Sequence, residues 1–404
     1  MPTYLEARKI ILDRIVPVGV EQVSLLDAAG RVIADEIKAP WEMPMFDNSA
    51  MDGYGVRTSD LDTEETLEVT GFMAAGEMPG AAVTPGCAVK IMTGAPIPAG
   101  CDAVVPVEET FESEGRVTIK GPVKLRQHIR FKGEDVATGD LVIEAGTLLR
   151  PPEISMLASF NRIMVPVYRR PRVALLATGD ELVELGETPA AGKIVNSNTL
   201  SLAVALREIG AEPVLLGIAK DNLASHLEKI RDGLKADALI TSAGVSAGDK
   251  DLVRQALEEL GVELCFWRVE IKPGGPTAFG MQHGKPVFSL PGNPVSSIIT
   301  FEELVRPALL RMMGRRRVIK PFIKATLQEV VRKKPGKVNF LRVGLELRDG
   351  HYFVKPSGDQ HTGILRTMLR ADAIAVLPSE RTEFAPGEEL EVHLFGTDAV
   401  MLEG

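Results

Sequence analysis

The chain has 404 residues, with 46 Lys and Arg against 55 Asp and Glu and a formal net charge of −9 at pH 7. At roughly 100–200 residues per domain this length predicts about two to four domains, and 45% hydrophobic with 25% charged residues is the composition of a soluble globular protein. Only 5% of the residues are aromatic, so stacking platforms for bases are scarce. The acidic balance excludes nucleic acid as a partner but leaves a local site for a small anion on backbone amides.

The 38 glycines and 27 prolines exceed the roughly 7% and 5% of ordinary usage and predict many turns and Gly-rich loops. Three cysteines, Cys87, Cys101 and Cys265, are too few for a disulfide framework, which points to a reducing, cytoplasmic compartment. Met1-Pro-Thr-Tyr-Leu-Glu6 has no basic n-region or apolar h-region, and no apolar run approaches the ~18 residues of a membrane span.

In chain order, Thr3-x-x-Glu6 is a capping box that predicts a helix from Thr3 to Val16, stopped before Pro17. From Trp41 to Asp140 short alternating runs such as Val117-Thr-Ile-Lys120 and His128-Ile-Arg-Phe131 lie between Gly and Pro turns, the texture of a small inserted β-domain. Residues 1–40 and 141–165 form a discontinuous helical or linker domain around it, with a helix from Glu153 to Phe160 entered through Pro151-Pro152. From 166 to 316 the apolar runs Val173–Ala177, Val214–Ile218, Ala238–Thr241 and Val287–Leu290 alternate with helical patterns, notably Leu223, Leu227, Ile230 and Leu234. That alternation predicts a parallel sheet covered on both faces, a three-layer α/β domain. Val295–Met313 reads as a long final helix bent at Pro307. After 317 the texture returns to β, with Leu345–Leu347 and Tyr352–Val354 flanking an Asp349-Gly350 hairpin turn, and reads as a C-terminal β-barrel-like domain. The fold class is thus α/β plus β, multidomain.

Four Gly-rich loops follow expected strands of the α/β domain: Thr178-Gly-Asp-Glu-Leu182, Ser242-Ala-Gly-Val-Ser-Ala-Gly-Asp249, Lys272-Pro-Gly-Gly-Pro276 and Leu290-Pro-Gly-Asn-Pro294. In a parallel sheet such loops converge on one edge, and helix N-termini there suit an anionic ligand. Gly and Pro also make tight turns without any ligand, but four loops carrying Asp180, Glu181, Asp249, Asp251 and Lys272 favour a site. Carboxylates beside phosphate-binding turns invite Mg²⁺, which takes one or two carboxylates plus substrate phosphates. Lys272 would hold an oxyanion as a point charge, while Asp249 sits where a helix N-cap belongs.

Gly244-Val-Ser246-Ala-Gly248 matches the G-x-S-x-G nucleophile elbow, and later histidines permit the hydrolase order. No oxyanion segment of the HGGG type precedes it, so a serine hydrolase is a remote alternative. No dinucleotide, P-loop or zincin motif occurs, and no C-x-x-C pair, so these readings lose their anchor.

Seven motifs carry a resemblance: Phe46-Asp-Asn-Ser-Ala-Met-Asp-Gly-Tyr54, Ile91-Met-Thr-Gly-Ala95, Gly133-Glu-Asp135, Thr178-Gly-Asp-Glu-Leu182, Gly244-Val-Ser246 followed by Gly248, Ile271-Lys-Pro-Gly274 and Leu290-Pro-Gly-Asn-Pro-Val-Ser296. In one chain and in this order they resemble the molybdopterin molybdenumtransferase family, that of MoeA and the gephyrin E-domain, over essentially the whole length. The resemblance implies insertion of molybdate into adenylylated molybdopterin with release of AMP, divalent-metal dependence, and an upstream molybdopterin adenylyltransferase as partner. It implies an elongated homodimer whose site lies between the α/β domain of one subunit and the early β-domain of the other. On family motif positions fall Asp52, Thr93, Asp135, Glu181 and Asp251, with Asp221 a further acidic candidate. Glu181 and Asp251 are the expected metal ligands. Gly179, Asp180, Gly244, Ser246, Gly248, Lys272, Pro291, Gly292, Pro294, Ser296, Arg342 and Thr362 are expected around the pterin nucleotide. Gly275 stands where family members often have Lys, so by the resemblance one cationic contact to molybdate is either missing or supplied elsewhere, for example by Arg268. Two rival readings share the resemblance: the sister activity that adenylylates molybdopterin with ATP, and a non-catalytic scaffold.

Overall fold

The structure, a computed structural model, describes residues 1–62, 65–245 and 252–395. It divides into two compact units, one of residues 1–34, 146–150 and 164–404 and the other of 35–145 and 151–163.

The first unit opens with α1 (Tyr4–Leu12), whose capping box is present as expected: Glu6 N–H donates to Thr3 Oγ1 and the Thr3 N–H to the Glu6 carboxylate. The helix ends at Leu12 rather than Val16, with Asp13 as its C-cap. The α/β layer then runs β1 (Arg172–Thr178), α2 (Ser197–Glu208), β2 (Glu212–Ala219), α3 (Leu223–Gly233), β3 (Ala238–Ser242), α4 (Leu252–Glu259), β4 (Glu263–Phe266), β5 (Ala278–Gln282), β6 (Lys285–Leu290), α5 (Pro294–Thr300) and α6 (Arg306–Met312). Sheet order is β2-β1-β3-β6-β5-β4. The strands β2, β1, β3 and β6 are mutually parallel, whereas β5 and β4 pair antiparallel, so the sheet is mixed and not wholly parallel. The reversal is made by the two-residue turn His283-Gly284, where both residues have positive φ and β5 folds back on β6 as a hairpin.

Alternation along the strands sets the layers. Val173 and Leu175 of β1 and Ile240 of β3 pack with Leu202 and Leu206 of α2, Ile299 of α5 and Ile11 of α1. Their neighbours Ala174, Leu176 and Leu239 pack on the other face with Ile230 of α3 and Val253 and Leu257 of α4. Each Val, Leu and Ile among them contributes roughly 1.5–3 kcal/mol by leaving water, which is why near-continuous apolar runs specify a doubly covered strand. The last long helix is interrupted: between α5 and α6, Phe301–Val305 is a π turn, which ends just before Pro307, a residue with no N–H to continue the ladder.

The C-terminal region holds β7 (Phe322–Leu327), β8 (Val338–Arg348), β9 (His351–Pro356), β10 (Ala373–Leu377) and β11 (Glu389–Leu394). Their order β8-β9-β7-β11-β10 closes through a β8–β10 pairing into a five-stranded barrel around Val343, Val354, Leu377 and Val392. The expected turn at Asp349-Gly350 joins β8 to β9. A short strand, Ile271–Lys272, adds parallel to β8. The Lys272 loop therefore leaves a strand of the barrel sheet, not of the α/β sheet as the sequence pattern suggests.

The second unit is built on a six-stranded sheet in the order Ala103–Pro106, Gly53–Val56, Cys87–Ile91, Thr66–Met73, Arg116–Ile119 and Thr110–Ser113. Tyr54, Val56, Leu67, Val105 and Val117 fill one core and Val89, Ile91 and Val104 another. Helix Pro151–Ser159 belongs to this unit. No helix among the described residues is long and apolar enough to cross a membrane.

Candidate functional site

Three of the Gly-rich turns meet where β1, β3 and β6 end. Between them lies a cleft of about 450 Å³ whose wall includes Glu181, Asn198, Ser242, Gly244, Gly292 and Asn293. Pro276, from the turn after Lys272, reaches the same cleft.

Each turn is held by local chemistry. After β1, Gly179 has φ +134, and a Cβ there would collide with the carboxylate of Glu181, which folds back over it. The Glu181 carbonyl accepts from Ile194 N–H at 2.8 Å. Asp180 and Asp221 cap each other's turns: Asp221 N–H donates to Asp180 Oδ1 at 3.1 Å, and Asp180 N–H to Asp221 Oδ2 at 3.2 Å. After β3 the left-handed positions are Ala243 and Gly244, with φ 78 and 76. A Cβ on Gly244 would overlap the Val253 side chain. After β6, Pro291 and Gly292 lead to Asn293, and Pro294 opens α5; the Asn293 side chain does not cap that first turn. Asn293 Nδ2 instead donates to Thr362 Oγ1 at 3.2 Å, bringing the 357–363 segment against the rim.

Of the residues expected from sequence, the cleft therefore brings together Glu181, Gly244, Pro291, Gly292 and Pro294, with Gly179, Asp180 and Asp221 shaping its β1 side and Thr362 beside it. Ser246, Gly248, Asp249 and Asp251 lie outside the described residues. Ser296 is buried within α5, and Lys272 and Arg268 are exposed away from the cleft lining. Arg342 is wholly buried in β8 and has no surface to offer a ligand. Its Nε donates to Thr367 Oγ1 at 2.9 Å and its Nη2 to the carbonyls of Asp359 and His361. Sequence reasoning missed Asn198 and Asn293; the signal for the first was Asn196-Ser-Asn198, cap residues at a helix start. No histidine lines the cleft among the described residues.

In the second unit, considered by itself, Asp52 accepts from both the N–H and the hydroxyl of Thr93 at 2.7 Å. The Thr93 N–H bond, then the hydroxyl, hold the Asp52 carboxyl below its ordinary value. Asp135 lies elsewhere in the unit, in a hollow of about 400 Å³ with Trp41, Asn48 and Arg130.

Three family models match in succession: the MoeA N-terminal region (domain I and II) over residues 3–161, the probable molybdopterin binding domain over 174–311, and the MoeA C-terminal region (domain IV) over 324–395. A protein of Haemophilus influenzae named molybdopterin molybdenumtransferase is 37% identical over 98% of this chain and 99% of its own.

The chain belongs to the MoeA family.

A Nostoc relative of the same name is 35% identical over 97% of this chain and 93% of its own. The crystal structure of the molybdopterin biosynthesis moeA protein from Pyrococcus horikoshii OT3 superposes with a TM-score of 0.85 at 31% identity, over 98% of this chain and all of that one. The domain model for molybdopterin binding encloses every residue of the cleft from Glu181 to Pro294. The family match also extends through the early β-region and the barrel, beyond the α/β domain alone.

Proposed function

We propose that this chain is a molybdopterin molybdenumtransferase, inserting molybdate into adenylylated molybdopterin and releasing AMP. The observation that carries the reading is the cleft itself: three Gly turns and the uncapped first turn of α5 surround one acidic side chain, Glu181, in a chain that matches a molybdopterin molybdenumtransferase over 99% of that relative's length. Open N–H groups bind the phosphates of a pterin nucleotide without a net positive surface. Glu181 then orients the water that attacks the pterin-side phosphorus of the phosphoanhydride, so that a new P–O bond forms there as the P–O bond to AMP breaks and its electron pair leaves on AMP.

No group of three or more His, Cys, Asp or Glu residues converges among the described residues. Mg²⁺ typically takes one or two carboxylates and completes its shell with substrate oxygens, so the single carboxylate of Glu181 fits an ion that would be held jointly with the substrate; Asp251, the other expected ligand, lies outside the described residues. A divalent cation held there supplies positive charge to the leaving phosphate.

Asp52, Thr93 and Asp135 are read as the contribution of a second copy of the chain, in a homodimer that completes the cleft. The chain is further read as acting in the cytoplasm, taking its substrate from a molybdopterin adenylyltransferase, with segments 1–40 plus 141–165, 41–140, 166–316 and 317–404 as its domains.

The test is direct. Purified protein given adenylylated molybdopterin, Mg²⁺ and molybdate should release AMP and yield active cofactor. Absence of molybdate-dependent AMP release would overturn the reading, and ATP consumption with free molybdopterin would replace it with the adenylyltransferase.

A further inference from the structure

Asn198, at the start of α2, faces two strand-end turns at once. Its Nδ2 donates to Ser242 Oγ at 2.9 Å and to the Gly292 carbonyl at 2.7 Å. A carbonyl only accepts, so the bond to Gly292 fixes which end of the amide is nitrogen. Oδ1 is turned into the protein, buried and without a hydrogen-bond partner. Ser242 is the last residue of β3, and Gly292 lies in the turn between β6 and α5. The two turns also press together, since a methyl on Gly292 would stand 3.1 Å from the Cβ of Ala243. One amide thus ties the two turns whose backbone faces the cleft.

We propose that Asn198 is a positioning residue for the anionic part of the substrate. By bridging Ser242 and Gly292 it fixes the spacing of the two turns that receive a phosphate. The inference rests on the pterin-nucleotide reading of this cleft and adds to it the device that pre-forms the cradle. Backbone donors aimed before the ligand arrives cost no ordering when it binds. Without the bridge the turns must be ordered by the ligand itself, so affinity falls while the chemical step, carried out by other groups, proceeds as before.

The experiment uses the full chain and AMP as the probe, with binding measured by calorimetry and turnover by molybdate-dependent AMP release. Asn198→Leu keeps the bulk and adds no charge but removes the donor. It should weaken AMP binding and raise KM by about tenfold or more, with kcat within about twofold. Ser242→Ala removes one of the two bonds and should move the same parameters in the same direction by less, which keeps the inference testable should Asn198→Leu fold poorly. Wild-type AMP affinity in folded Asn198→Leu, or a fall in kcat at unchanged KM, overturns the positioning role alone. If the wild-type protein neither binds AMP nor releases it in response to molybdate, the functional reading fails and this inference falls with it.

Discussion

Glu181 folds its carboxylate over the Cα of Gly179, filling the space that a Cβ at position 179 would take. Gly179 has φ +134, a conformation that side-chain-bearing residues avoid. Gly179→Ala therefore meets two penalties, backbone strain and a collision with the one acidic group of the described cleft. We expect a loss of about 1–3 kcal/mol in stability and a larger proportional loss of AMP release, because the turn can relax only by moving Glu181. Thermal melts read the first effect and single-turnover AMP release the second; unchanged turnover would show that Glu181 does not depend on this turn.

The shared-site reading makes a sharper prediction. Asp52→Ala and Glu181→Ala remove carboxylates from different units of the chain. If each site takes Glu181 from one subunit and Asp52 from the other, both variants are inactive alone. Co-refolded in equal amounts they recover about a quarter of wild-type activity, since half the dimers are mixed and each of those holds one intact site. No recovery on mixing, with mixed dimers verified by mass spectrometry, would place both residues in the same subunit's site or outside it.

What could be read from sequence follows the range of the interactions. The Thr3–Glu6 capping box and the Asp349-Gly350 hairpin are local, and both stand as expected. The alternation that covers β1 and β3 on both faces is equally local. Strand direction is not: β5 lies outside the four apolar runs read as strands, and its reversal rests on His283-Gly284, a turn of the Asn-Gly kind that His disguises. Ile271–Lys272 pairs with Val338–Asn339, more than sixty residues further on, so the motif around Lys272 could not reveal which sheet it joins. In the site, the Gly turns announced themselves, whereas Asn198 acts through contacts with residues 44 and 94 positions away.

Glu303 joins three parts of the first unit. It lies in the π turn, accepts from the Tyr4 hydroxyl of α1 at 2.5 Å and bonds His393 Nδ1 of β11 at 2.9 Å, and is 3% exposed. Burial pushes its carboxyl up, but the bonds from His393 and Tyr4, with Lys320 nearby, outweigh burial and hold it below the ordinary value. A carboxyl depressed by folding stabilises the native state above its unfolded pKa, about 4.3, and that contribution is lost as pH falls through the lower folded value. Glu303→Gln should cost about 1–3 kcal/mol at pH 7 and flatten the acid limb of the stability curve below about pH 4.3. Denaturant melts between neutral and acid pH check this, and parallel curves for the two proteins would remove Glu303 from the acid response.

Arg342 offers the last test, because its placement differs from what the sequence suggested. Its guanidinium reaches Asp359, His361 and Thr367, while Gln360 Oε1 accepts from the Arg342 N–H at 3.0 Å and Gln360 Nε2 donates to the Arg342 carbonyl at 3.2 Å. The segment so held presents Thr362 to Asn293 at the cleft rim. Arg342→Leu leaves carbonyls without their donor, at about 1–3 kcal/mol for each that stays buried. Hydrogen exchange should then accelerate at Arg342 and Ile364–Met368 while β1 and β3 keep their protection. Arg342→Lys supplies one donor point in place of a planar fork and should restore only part of the order. Wild-type exchange throughout the segment in Arg342→Leu would mean that the loop holds itself. Loss of substrate binding with that exchange unchanged would instead return Arg342 to the role of a direct contact.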